Sequence, residues 1–90
     1  MLEAMEKTQA CPTPRQIFGT NLRRARRLKE VSQEELALRS NLSRTYVSEV
    51  ERGIRNVSID NMGQLAEAIG VPLKELVDPA MFAALGENLS

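Results

Sequence analysis

The sequence has no histidine and no tryptophan, and it carries one cysteine, one tyrosine and two phenylalanines in 90 residues. Without histidine there is no His-based triad, and with Cys11 alone there is neither a Cys/His metal site nor an internal disulfide. No carboxylate pair in a recognisable cleft takes their place, so neither enzyme activity nor a cofactor is expected. Long apolar runs are also missing. The longest, Pro79 to Leu85, is far below the roughly 20 residues of a membrane span. No secretory signal is evident and a lone thiol suits a reducing compartment, so a soluble, cytoplasmic protein without membrane contact is expected, with Cys11 an inert thiol. Aromatics make up only 3% of the chain, which favours small packed helices over a β-sandwich.

What is present suits one all-α domain. Hydrophobic residues reach 42% against 27% charged, enough apolar material for a core in a chain of this length. The formal net charge is zero, but the charges are segregated. Between Thr13 and Val57 ten cations face five anions, a net +5, whereas between Ser58 and Ser90 Lys74 alone faces five anions, a net −4. Lys7, Glu3 and Glu6 supply the remaining −1. A basic first half beside an acidic second half can offer a polyanion one face only.

Residues Met1 to Pro12 lack sustained apolar periodicity and read as a mobile tail; the domain is expected over 13–90. Thr13-Pro14-Arg15-Gln16 combines a capping threonine, a proline at the first helical position and a capping-box glutamine. The helix that follows has an apolar stripe of Phe18, Leu22 and Ala25, widened by Ile17 and Leu28. Ser32-Gln33-Glu34-Glu35 is a second capping box and opens a short helix to about Ser40. Asn41 and Ser43 bracket a tight turn containing Leu42, and a third helix, Ser43 to Arg52, stops at Gly53. Ser58 caps a fourth helix with Ile59, Met62, Leu65, Ala66 and Ile69 on one side, stopped by Gly70. A fifth begins near Pro72, and Asp78-Pro79 looks like the start of a short sixth that ends at Gly86.

Two short helices joined by a three-to-four-residue turn, with a small residue on the first and a left-handed-capable residue in the turn, form a helix-turn-helix. Ala37 must be small where the third helix crosses it, while Leu36, Leu42, Val47 and Val50 fill the space between. On the third helix Arg44, Ser48 and Arg52 lie at i, i+4 and i+8, with Thr45 and Glu49 beside them and Val47 and Val50 opposite. That polar stripe is the candidate reader of DNA. Arg44 stands near the helix N-terminus, where a guanidinium can bond guanine bidentately. Thr45 can touch a thymine methyl or a phosphate; Glu49 can accept from cytosine or neutralise Arg52; Tyr46 can donate to a phosphate or stack locally. Ser43 and Arg52 are placed on the DNA backbone. Arg23, Arg24 and Arg27 read as a solvated face that raises the local potential.

The stretch SQEELALRSNLSRTYVSEVERGIRNVSIDNMGQLAEAIGV resembles the Cro/repressor-type (XRE) helix-turn-helix family, over Phe18 to about Val77. The segment SNLSRTYVSEVERGIRN is most similar to the controller proteins of restriction-modification systems. The resemblance implies a compact lambda-repressor-like fold and a transcriptional regulator that works as a homodimer on a partly palindromic operator. It also implies that Gln33 bonds a phosphate, that Arg55 and Asn56 form a backbone-contacting loop, and that Arg26 pairs with Glu51 to clamp the third helix. Two positions depart from the family pattern. Glu30 and Asn41 stand where glycines are usual, and a glutamate held left-handed would cost about 1 kcal/mol, so a locally different first turn is expected.

One recognition helix reads only a few base pairs, so a dimer is needed for affinity. The apolar residues least required by the helix-turn-helix are Leu73, Leu76, Val77, Met81, Phe82 and Leu85, and the segment from about 71 to 90 is the expected dimer interface. A dimer over a promoter would block RNA polymerase, and one placed upstream would recruit it. The competing reading is a protein-binding module, such as an antitoxin whose acidic second half neutralises a partner.

Overall fold

The computed structural model describes residues 12–81. Five helices follow one another: α1 (Pro14–Leu28), α2 (Gln33–Ser40), α3 (Arg44–Glu51), α4 (Ile59–Ile69) and α5 (Leu73–Leu76). Residues 79–81 are helical again, opened by Asp78, whose Oδ1 accepts from the Ala80 amide at 2.9 Å. Nearly all of the expected tail, all but Pro12, and the course of the sixth helix beyond Met81 lie outside the described residues, as do Phe82 and Leu85.

Each of the first four helices starts on a hydroxyl cap. Thr13, Ser32, Ser43 and Ser58 accept from the amides of Gln16, Glu35, Tyr46 and Asn61, each meeting one amide that the first helical turn leaves without a partner. At α1 the box is complete, because Gln16 Oε1 accepts from the Thr13 amide at 2.8 Å. At α2 only the serine half forms, and the Glu35 carboxylate instead meets Arg39 one turn on, at 3.0 Å.

The four helices also end alike. Glu30, Asn41, Gly53 and Gly70 all have positive φ, between 58° and 78°. After each, the next amide reaches back to a carbonyl five residues earlier: Val31 to Arg26, Leu42 to Ala37, Ile54 to Glu49 and Val71 to Ala66, at 3.0–3.2 Å. This is the Schellman closure, which satisfies carbonyls left open at a helix end. The first turn therefore does not differ locally, as Glu30 takes the left-handed conformation at φ 58°. The Arg26 guanidinium fixes that turn by donating from Nη1 to the Val31 carbonyl at 2.8 Å, a hydrogen bond from a charged group that offsets the backbone cost.

The core lies where the helices meet and is made of Phe18 and Leu22 from α1, Leu36 and Ala37 from α2, Val47 and Val50 from α3, Leu65, Ala66 and Ile69 from α4, and Leu76 from α5. Leu28 and Ile59 do not join it; they are 68% and 66% exposed. Leu28 is the last residue of α1 and points roughly 80° around the helix from Phe18, and Ile59 is the first residue of α4, so neither end turn lies under a neighbour. Gly19 sits where α1 meets the end of α3: a Cβ there would collide with the Val50 carbonyl oxygen. The small residue allows the two backbones to touch, which sets how α3 is seated.

Asn21 is buried, and its Nδ2 donates to the carbonyls of Glu75, Leu76 and Asp78 at 3.4, 3.1 and 3.2 Å. One amide of α1 thereby closes the C-terminal end of α5. Its Oδ1 is buried without a hydrogen-bond partner among the described residues.

Candidate nucleic-acid interface

The third helix is capped by Ser43, with Val47 and Val50 fully inside and Arg44, Thr45 and Arg52 exposed. Ser48 and Glu49 are half-buried at the edge of that exposed face. Alternation at 100° per residue thus splits α3 into a side that seals the core and a side that faces outward.

The inner side is fixed by charge. Arg26 Nε lies 2.6 Å from Glu51 Oε2, and its Nη2 lies 3.0 Å from Oε1. The side chains are 12% and 2% exposed, and a two-point pair of this kind holds direction as well as distance. Gln33 Nε2 adds a third hydrogen bond to Glu51 Oε1 at 3.0 Å. One carboxylate on α3 is therefore tied to α1 and to the first turn of α2. The Gln33 amide nitrogen gives one of its two hydrogens to this network, a use that its expected role toward phosphate does not include.

The outer side carries a second network. Arg55 Nε lies 3.2 Å from Glu49 Oε1, and its guanidinium carbon is 4.7 Å from the centre of the Tyr46 ring. The Tyr46 hydroxyl accepts from Asn61 Nδ2 at 3.0 Å, joining α3 to α4. Glu49 thus neutralises Arg55 and not Arg52, because the left-handed Gly53 turns the following loop back along α3. The Tyr46 ring makes the local stack, and its hydroxyl, which only accepts from Asn61, keeps its proton for a phosphate. Asn56 is exposed in the same loop.

The apolar set assigned to a dimer contact divides. Leu76 is 2% exposed and belongs to the core, which removes it from any outer surface; α5 packs on both α1 and α4. Leu73 and Met81 are half-buried, and Val77 is 40% exposed.

A helix-turn-helix family model matches residues 22–76, the segment from Leu22 in α1 to the end of α5. The chain belongs to the Cro/repressor-type (XRE) helix-turn-helix family. Among its helix-turn-helix relatives, the control protein C.BamHI of Bacillus amyloliquefaciens is 48% identical over 65 residues, 71% of this chain and 80% of that protein. The restriction-modification controller protein C.AhdI from Aeromonas hydrophila superposes with a TM-score of 0.67 at 48% identity, covering 69% of this chain and 94% of that one. The controller protein C.Esp1396I, solved as a tetramer in complex with its natural 35-base-pair operator, superposes with a TM-score of 0.65 at 28% identity, covering 88% and 97%.

Asn21 and Asn61 are the positioning residues that sequence reading missed. Asn21 lies beside Leu22 on the buried side of α1, and a polar residue interrupting an apolar stripe was the available signal. Asn61 gave none, since its partner stands fifteen residues away. Among the described residues no helix is long and apolar enough to cross a membrane.

Proposed function

We propose that this protein is a sequence-specific regulator of transcription that binds double-stranded DNA as a homodimer on a partly palindromic operator, of the restriction-modification controller type. The observation that carries the reading is the outward face of α3, exposed at Arg44, Thr45 and Arg52 while the opposite face is seated by Val47, Val50 and the Glu51 network. A reading helix must be fixed in place for its side chains to meet base edges in register. Arg44, Thr45, Ser48 and the free oxygen of Glu49 address bases; Ser43, Tyr46, Arg52, Arg55 and Asn56 address phosphates, with Gln33 at the α2 N-terminus. The relatives named above are control proteins, and the C.Esp1396I complex holds an operator, which supports the same role here.

Dimerisation would use Val77 and Met81 together with Phe82 and Leu85, placing two α3 helices about 34–36 Å apart on inverted half-sites. Regulation would follow from position, blocking RNA polymerase over a promoter or recruiting it from upstream. Selection of duplexes from a random pool, followed by footprinting and sedimentation of the complex, tests this. Recovery of inverted half-sites bound by a dimer is the expected result. A protein that enriches no sequence and instead co-purifies with one protein partner would support the antitoxin-like alternative.

A further inference from the structure

Between α1 and α3 lies an open concavity of about 360 Å3, beside the reading face. Arg23, Arg26 and Arg27 of α1 line one wall, Ser48 and the α3-capping Arg52 the other, with Gln33 at the head of α2. Glu51 is the single anion in the lining, and both of its oxygens are already taken, by Arg26 and Gln33. Arg26 is neutralised by that contact. Arg23, Arg27 and Arg52 are exposed and have no ion-pair partner among the described residues. Three uncompensated guanidinium groups thus converge on one hollow. A second concavity, of about 430 Å3, has no such excess: Arg39 and Glu67 are its only charged residues, and Arg39 is paired with Glu35.

We propose that the Arg23–Arg27–Arg52 concavity is a phosphate site that takes a backbone phosphate of DNA flanking the bases read by α3. Guanidinium groups gain most from a doubly bonded oxyanion such as phosphate, and nothing anionic in the lining competes for them. Ser48 and Arg52 belong at once to this hollow and to the outer stripe of α3. A strand whose bases meet Arg44 and Thr45 therefore has a route for a neighbouring phosphate into the hollow. The exposed arginines of α1, which look like a solvated face in the sequence, become the far wall of the grip. The inference rests on the DNA-binding reading above and adds α1 to the contact surface.

The test uses the full chain, the duplex recovered by selection and a scrambled duplex of equal length. Arg23→Gln/Arg27→Gln, with unchanged thermal midpoint, should bind both duplexes more weakly by the same factor. The slope of log affinity against log salt should fall by about 0.9 for each phosphate that the variant no longer neutralises. Arg23→Lys/Arg27→Lys should recover most of that slope, and Lys74→Gln, on α5, should leave it unchanged. A neutral methylphosphonate placed singly along the duplex should weaken wild type at one flanking position and leave the double glutamine variant unaffected there. If wild type binds its selected duplex but the slope and the methylphosphonate profile are unchanged in the variant, this inference is overturned and the reading-helix assignment stands. Wild type that binds no duplex overturns both. Thermal stabilisation by inorganic phosphate that the glutamine variant loses, with an unchanged duplex slope, assigns the hollow to a free anion and overturns the DNA source.

Discussion

Two arginine–glutamate pairs flank the same helix and have opposite consequences. Glu51 faces inward, is 2% exposed, and meets Arg26 at two points, the shorter 2.6 Å; Glu49 faces outward, is 30% exposed, and meets Arg55 at one point, 3.2 Å. The chemistry is the same and the surroundings are not. Inside, a carboxylate without its partner has no water to turn to, so the pair behaves as a fixed joint. Outside, water and salt compete for both charges, and the pair can open when a phosphate approaches. Burial therefore decides which pair builds the scaffold and which remains available to DNA.

The strongest way to break the comparison is to cut the inner pair. Glu51→Ala leaves Arg26 and the Gln33 amide partly buried without their shared acceptor, and a loss of about 3–5 kcal/mol is expected. For a domain of this size that lowers the thermal midpoint by about 12 °C or more. Arg26→Ala should cost as much, because it also releases the Val31 carbonyl in the left-handed turn. The double variant should be less destabilised than the sum of the two singles. Additive losses in a thermal double-mutant cycle would show that the two side chains do not act as one joint.

Next in size is a substitution on the outer face that spares the scaffold. Arg44→Ala should leave stability within about 0.5 kcal/mol of wild type, yet lose about 1–3 kcal/mol on the operator and relax one base position. Arg55→Ala should differ from it in kind. It should weaken all duplexes by a similar factor, and by less than a free phosphate-binding arginine would, since Glu49 already neutralises part of its charge. Competition binding at fixed salt separates the two profiles. Equal relaxation of base preference by both variants would remove the division between reader and backbone contact.

Much of this arrangement is legible in the order of residues, wherever the cause is local. The hydroxyl caps at Thr13, Ser32, Ser43 and Ser58 and the helix ends at Asn41, Gly53 and Gly70 need only a few consecutive residues to form, and those residues are readable one after another. The pairing of Arg26 with Glu51 is reachable only through family resemblance, since no local pattern joins positions twenty-five apart. What escaped depends on tertiary placement. Glu30 accepts a left-handed backbone because a guanidinium on the preceding helix steadies the turn. Leu76 looks spare near the end of the sequence, but Asn21 draws the end of α5 onto α1, which puts that leucine inside. Glu49 and Arg52 are three residues apart on one helix, a spacing that favours a pair, yet the turn at Gly53 delivers Arg55 first.

The smallest expected effect tests the outer pair directly. Glu49→Gln keeps the side-chain length and removes the charge, so stability should fall by less than about 1 kcal/mol, in line with exposed pairs. Its effect on binding should be of the opposite sign. With its counterion gone, Arg55 presents a full positive charge to any phosphate, and one anion less faces the DNA, so affinity for random duplexes should rise. A gain that every sequence shares leaves discrimination unchanged, but the operator also loses the base contact assigned to Glu49, and the ratio of operator to random-duplex affinity should therefore fall. The slope of log affinity against log salt should steepen by up to about 0.9, the value for one neutralised phosphate. Placing Glu49→Gln in an Arg55→Ala background should abolish most of the gain, because the charge it releases is no longer there. A gain that survives in that background would mean that Glu49 acts by repelling DNA on its own, and the outer pair would then have no part in binding.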